Sequence, residues 1–287
     1  MTTDKIQFTK EKETMLMTLS GRALQSQWKN PILHDPWAEE AMRHIDYDIS
    51  KAYKGVGSWS MWSEIGCTVI ATRAATFDLL TKRFLADHPD AIVLQAGCGM
   101  DSRAFRVDPP AGVQWFDVDY PDVIDLRRRL FPEPRVASPQ RGNRDAYHMI
   151  GAPLDDLRWL DELPRDRPGL LVAEGVLHYL SEAEVKALLN ALVAHFPSGQ
   201  MIFDICNSMI VKRAGSNAGG TGATYRWGLD DPGEIKRLEP GLELIKEYKA
   251  SELVAFDRFP LWLRGLFRAM DANTTLRRME RTVVYRY

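Results

Sequence analysis

The chain has 287 residues, with 45% hydrophobic and 26% charged side chains and a formal net charge of −2. That balance fits a globular α/β domain with a sizeable core and excludes a broad basic nucleic-acid surface. No apolar run approaches the roughly 20 residues of a membrane helix, and residues 1–7 lack the apolar core of a signal peptide, so a cytoplasmic protein is expected.

Residues 1–88 read as a helical cap without a convincing strand. Turn signals stand at Asn30-Pro31, Asp35-Pro36 and Gly55-Val56-Gly57-Ser58. From Thr68 to Phe84, Val69, Ile70, Ala74, Phe77, Leu80 and Phe84 recur at helical spacing. From residue 89 onwards strands and helices alternate. Short apolar runs at Ala91–Ala96, Val113–Val118, Tyr147–Ile150, Leu170–Val176 and Met201–Ile205 predict a mostly parallel sheet covered on both faces.

The triple Arg127-Arg128-Arg129 reads as a solvated helix face. Ser181 and Glu184 form a capping box for a helix over 182–196, whose apolar stripe is Val185, Leu188, Leu189, Leu192, Val193 and Phe196. Residues 215–223 hold four glycines and make a flexible connector or lid within a substrate-side insertion around 207–240. Trp262–Phe267 reads as helical. Two last runs, Leu242–Tyr248 and Thr282–Tyr287, complete seven strands with a terminal antiparallel pair.

One stretch carries the chemistry. The run Val93–Ala96 ends in Gly97-Cys98-Gly99-Met100-Asp101, and a second run, Val113–Val118, ends in Asp119. A strand, a tight glycine turn and an acid at the end of the next strand form a nucleoside-cofactor site. Asp117 is an alternative acid for the same role. A dinucleotide fingerprint requires a third glycine, and here Ser102 stands there, preceded by Asp101. A carboxylate repels a pyrophosphate and tolerates a cationic amino-acid moiety, so the turn favours S-adenosylmethionine over NAD. Cys98 reads as a small packing residue. The three cysteines, Cys67, Cys98 and Cys206, form no C-x-x-C pair, which indicates neither a metal site nor a disulfide framework.

Gln95–Arg103, Trp115–Pro121 and Ala173-Glu174-Gly175-Val176-Leu177-His178-Tyr179-Leu180 stand in that order. Together with Pro31–Ala38 and Trp227–Pro232 they resemble the leucine carboxyl methyltransferase family. The resemblance is closer to the bacterial and fungal branch that includes tetracenomycin polyketide O-methyltransferases. It implies a seven-stranded, Rossmann-like methyltransferase sheet with an N-terminal helical cap. Carried over by position, it implies that Gly97 underlies the methionyl part and Asp119 holds the ribose hydroxyls. It also implies that Glu174 contacts the cofactor's amino-acid end or nearby polar groups, that Arg73 pairs with the cofactor carboxylate, and that Arg22 lies near that end. Protein-methylating members carry an aspartate and a leucine after the third strand. Here Pro153 and Leu154 stand there, so Leu154 keeps the apolar contact and Asp155 is the candidate for the adenine amino group.

His178 and Tyr179 are the catalytic candidates, because open α/β sheets place ligands beyond the strand ends. Tyr225 and Trp227, with Trp28, Trp37, Tyr53, Trp59 and Trp62, are candidates for an apolar acceptor pocket. The expected function is S-adenosylmethionine-dependent O-methylation of a small-molecule carboxylate or phenol of polyketide type. Protein C-terminal carboxyl methylation, an NAD-linked enzyme and a non-catalytic cofactor-binding protein are the alternatives. No nucleic-acid or membrane partner is expected, and homo-oligomerisation is left open.

Overall fold

The computed structural model describes residues 11–45, 59–131, 146–214 and 222–287. Its sheet has seven strands: β1 Ile92–Ala96, β2 Gln114–Asp119, β3 Tyr147–Gly151, β4 Gly169–Ala173, β5 Gly199–Cys206, β6 Glu243–Tyr248 and β7 Glu280–Arg286. They lie in the order β3-β2-β1-β4-β5-β7-β6. The first five run parallel, and β7 pairs antiparallel with both β5 and β6. The expected α/β sheet with its terminal antiparallel pair is therefore what forms.

The strand order reverses between β1 and β4, which opens a crevice beyond their carboxyl ends. Register then decides which residues meet there. Ala96 lies opposite Val118 and Gln95 opposite Val172. One residue past those pairs, Gly97 and Asp119 stand at the same level, and two past Val172 Glu174 joins them. The expected strand Leu170–Val176 ends three residues early, at Ala173. Gly175, at φ +70°, turns the chain outward in a left-handed conformation that suits glycine. Glu174 is thus placed at the mouth of the sheet.

Both central strands are buried along their whole length, as parallel strands between two helix layers must be. On one face Leu94, Ala96, Leu171 and Ala173 pack with Val185, Leu188, Leu189 and Leu192 of a helix over Glu182–His195. Its capping box is present as expected: the Glu184 N–H donates to Ser181 Oγ at 3.3 Å, and the Ser181 N–H to Glu184 Oε2 at 2.6 Å. On the other face Val93, Leu170 and Val172 pack with Phe77, Leu80 and Phe84. Those three belong to α3, Trp59–Asp87, which follows α1, Glu11–Ser26, and α2, Pro36–His44. One apolar cluster therefore crosses residue 88, where the sequence suggested the edge of a cap. Val69, expected on the apolar stripe of α3, is exposed.

The helices α1 and α2 share a second cluster, in which Leu16, Leu19, Ala23 and Ala41 meet Met100 and Phe105 just after the glycine turn. The Asp35-Pro36 signal proves to be a helix start: Asp35 caps α2 through Ala38 N–H at 3.0 Å, with Pro36 in the first turn. The segment after β1 forms α4, Arg103–Val107, and β2 leads into α5, Pro121–Leu130. Further along, α6 is the capped Glu182–His195 helix, α7 spans Ser208–Ala214 and α8 spans Leu261–Ala272. Among the described residues no helix is long and apolar enough to cross a membrane.

The capping box makes a stability prediction. Ser181→Ala should lower unfolding stability by about 1 kcal/mol, the usual cost of a lost N-cap. Urea denaturation checks it; an unchanged midpoint would show that packing alone sets this helix start.

Candidate active site

The glycine turn depends on what surrounds it. Gly97 and Gly99 have φ of +59° and +48°. A Cβ on Gly97 would lie 2.5 Å from a methyl of Val176, and one on Gly99 2.9 Å from Met15 Cγ of α1. Conformation and space both demand glycine here. Beneath the turn lies Arg127, fully buried. Its Nη1 donates to the carbonyls of Gly99 at 2.9 Å and Asp101 at 2.7 Å. Its Nη2 and the hydroxyl of Tyr147 both donate to Asp117.

This corrects two expectations. Only Arg128 and Arg129 of the arginine triple face solvent, because Arg127 lies one turn from Val123 on the buried side of α5. Asp117 is consumed inside the protein, where it also accepts from Trp115 Nε1 at 2.8 Å, so it is not available to a ligand. Cys98 is buried in the turn and its thiol pushed up by burial, which suits a packing role.

One cavity is lined by Gly97, Gly99, Asp119, Leu154, Asp155 and Glu174, together with Arg22, Arg73, His178, Tyr179 and Tyr225. Asp119 accepts the Gly99 N–H and the Tyr120 N–H, each at 2.7 Å, so it closes the turn as well as facing the cavity. Leu154 and the exposed Asp155 form the adjoining wall after β3.

The opposite end is an ion-pair network. Glu174 accepts from Arg73 Nε at 2.8 Å and from Arg103 Nη2 at 2.5 Å. Arg73 also lies 3.3 Å from both Asp204 and Glu280. Arg22 donates to Asp35 at 3.1 Å and to the Met100 carbonyl at 2.7 Å. Arg106 donates to Asp78, Asp35 and Asp101. Burial disfavours the charges of Asp101 and Glu174, yet the neighbouring guanidiniums overcome it and hold both below the ordinary carboxylate range. Asp101 is therefore neutralised from within, by Arg103, Arg106 and Arg22, and it offers no free charge to a cationic ligand.

Sequence reading missed Arg103, Arg106, Arg127, Asp35 and Asp78 as parts of the site. The available signal was an unpaired acid in mid-strand, Asp117, and an arginine on the apolar spacing of the next helix.

Beyond β4, the rings of His178, Tyr179 and Tyr225 cluster. His178 lies 4.3 Å from Tyr179 and 4.2 Å from Tyr225 between centroids. The Tyr179 hydroxyl donates to Thr14 of α1 at 3.3 Å. Burial pushes His178 down to about 4 and both tyrosines up. Trp227 does not line the cavity: its side chain is buried in the core with Leu229 and Ile235, although its backbone N–H donates to the His178 carbonyl at 3.3 Å. Trp28 and Trp37 do not line the cavity either, and Trp37 stacks on Phe105 at 5.3 Å. Tyr53, the side chains of Trp59 and Trp62, the turn at 55–58 and residues 215–221 of the glycine-rich segment lie outside the described residues.

Two predictions follow from the buried charges. Arg127→Met should cost about 3–5 kcal/mol, because it strands a buried carboxylate, and adding Asp117→Asn should recover much of that loss. Equal stability of the single and double variants in urea would refute the pairing. The second concerns Asp119, which burial pushes up to about 6 against its two backbone donors. A raised carboxyl contributes stability that is full below about pH 4 and is lost as the pH rises through about 6. The stability gap between wild type and Asp119→Asn should shift by roughly 1–2 kcal/mol across that window, the cavity side being partly solvated. A gap that stays constant with pH would contradict the shift.

Residues 15–193 match the model of the leucine carboxyl methyltransferase family. A tetracenomycin polyketide synthesis O-methyltransferase from Streptomyces glaucescens is 40% identical over 247 residues, covering 85% of each chain. An S-adenosyl-L-methionine-dependent methyltransferase from Gibberella zeae is 32% identical over 287 residues, covering 93% of this chain and 92% of that one. Among solved structures, a magnesium protoporphyrin IX methyltransferase from Synechocystis PCC 6803 is 14% identical. It has a TM-score of 0.47 and covers 82% of this chain and 91% of that one.

Proposed function

We infer the reaction from one premise: the chain belongs to the leucine carboxyl methyltransferase family. It is an S-adenosylmethionine-dependent methyltransferase. The finer reading is that it methylates an oxygen on a small acceptor of polyketide type, in line with the name of the Streptomyces relative, and that this oxygen belongs to a carboxylate.

The cavity fits the cofactor by the chemistry of its donors. Gly97 lets the backbone approach, since a Cβ there would be blocked by Val176. Asp119 would hold the ribose hydroxyls, with Leu154 and Asp155 beside the adenine. Arg73 would take the amino-acid carboxylate and Glu174 the ammonium, with Arg22 bracing that end through Asp35 and Met100. When bound, the cofactor supplies a methyl group on a positively charged sulfur, already activated for in-line displacement. The protein has only to orient the acceptor and exclude water.

The observation that supports a carboxylate is the state of the acceptor end. An effective general base has a pKa near the working pH. His178 is neutral but far too weakly basic, since burial holds it near 4, and Tyr179 and Tyr225 stay protonated. The cluster therefore offers hydrogen-bond donors and no strong base. A carboxylate acceptor is ionised before it arrives and requires none. Its idle oxygen would accept from the Tyr225 hydroxyl, since the Tyr179 hydroxyl already donates to Thr14.

Labelled methyl transfer to aromatic carboxylic acids and matched phenols tests this. Alkali should release the label as methanol, since esters hydrolyse and aryl ethers do not. An alkali-stable label would overturn the carboxylate in favour of a phenol. Label on a protein tail, or on nothing despite tight cofactor binding, would overturn the small-molecule reading. His178→Ala should lower kcat by less than about tenfold, whereas loss of a true general base costs about 10²–10⁴-fold. In calorimetry, Asp119→Ala and Glu174→Ala should each weaken cofactor binding by ~1–3 kcal/mol; unchanged affinity in both would sink the assignment of the cavity.

A further inference from the structure

Glu174 carries two ion pairs of different kinds. Its Oε1 accepts from Arg73, which like Glu174 lines the cavity and keeps 21% of its side-chain surface exposed. Its Oε2 points into the protein and accepts from Arg103, whose side chain has no exposed surface. Arg103 is itself held on several sides. Its Nε donates to Asp78 of α3 at 2.9 Å, and its Nη2 lies 3.0 Å from Asp101. Its guanidinium sits 5.4 Å from the Phe77 ring centre. Asp78 is fixed in turn by Arg106 at 2.8 Å. The buried Nη1 of Arg103 has no hydrogen-bond partner, so the fork's polar contacts are all with carboxylates.

A ligand that carries an ammonium and a carboxylate on one carbon presents the same two charges as the Arg73–Glu174 pair. Its carboxylate can draw Arg73 away, and its ammonium can take the vacated Oε1. This exchange works only if Glu174 stays behind when Arg73 moves. Asp204 and Glu280 also attract Arg73, so its departure from Glu174 leaves neither group stranded.

We propose that Arg103 is a positioning residue for the amino-acid end of the cofactor, clamping Glu174 by Oε2 so that Oε1 is free to receive the cofactor's ammonium. The proposal rests on the cavity being the S-adenosylmethionine site. Arg103 touches no ligand and acts only through Glu174 and Asp101.

Calorimetry with S-adenosylhomocysteine and its desamino analogue tests this on the intact protein. Wild type should prefer the amino compound. In Arg103→Met that preference should fall by about tenfold or more, the worth of a charge-assisted hydrogen bond, while affinity for the desamino analogue shifts by less than about threefold. Arg103→Lys should retain part of the preference, since it keeps the charge and loses the fork. A merely structural role would weaken both ligands by the same factor, and that result overturns the proposal. If Arg103→Met does not fold, the same ratio is read on Arg103→Lys, where an unchanged preference overturns it. Glu174→Gln separates the two levels. If it abolishes the preference and the Arg103 variants do not, only the role of Arg103 fails. If it leaves the preference intact, the assignment of Glu174 to the ammonium fails as well.

Discussion

An ionised carboxylate cannot be left unpaired in a protein interior. This site crowds Asp101, Asp117, Glu174 and Asp204 around the carboxyl ends of parallel strands, so the rest of the structure brings cations to them, while Asp119 is held by two backbone N–H groups. Each nearby helix delivers its own: Arg22 from α1, Arg73 from α3, Arg103 and Arg106 from α4, and Arg127 from α5. The layers are thus fixed by charge as well as by apolar packing. Buried ion pairs add little net stability, because desolvation offsets the attraction, but breaking one is costly. Their effect is to permit one arrangement of helices around the turn and penalise others.

Within that arrangement the charges divide by access. Asp117 and Arg127 form a closed pair that holds the turn from below. Asp101 is saturated by arginines. Asp119 and Glu174 are the two that keep an open side, one held by backbone N–H groups and the other by an arginine on each oxygen. The ends of the cavity therefore differ in chemistry although both are acidic. The Asp119 end suits neutral hydroxyls, and the Glu174 end, with Arg73 beside it, suits a zwitterion.

Much of this was legible in the sequence because of a property of parallel sheets. Gly97, Asp119 and Glu174 each follow the last apolar residue of a strand, and register brings strand ends to one level. The local pattern of an apolar run ending in glycine or acid therefore carried three-dimensional information. Arg127 and Trp227 were misread for the opposite reason. Three consecutive arginines look alike unless the apolar spacing of Val123, Ile124 and Leu126 is carried one step on to Arg127. Trp227 follows a glycine-rich segment, as a pocket aromatic does, yet its neighbours Leu229 and Ile235 draw it into the core. Arg103 and Arg106 escaped notice because their partner Asp78 lies in a different helix, and a pairing across such a distance leaves no local trace.

The helix α1 reaches both ends of the cavity. Met15 sits against Gly99 at the glycine turn, and Thr14, one residue earlier, takes the Tyr179 hydroxyl in the ring cluster. Neighbouring residues on one helix thus touch both ends of the cavity. In-line methyl transfer depends on the distance and angle between donor and acceptor more than on proton chemistry. A rigid element that spans both ends sets that geometry directly. The Glu174 end of the cavity is constrained by arginines paired to carboxylates, and the His178 end by little more than three rings and the helix that carries Thr14.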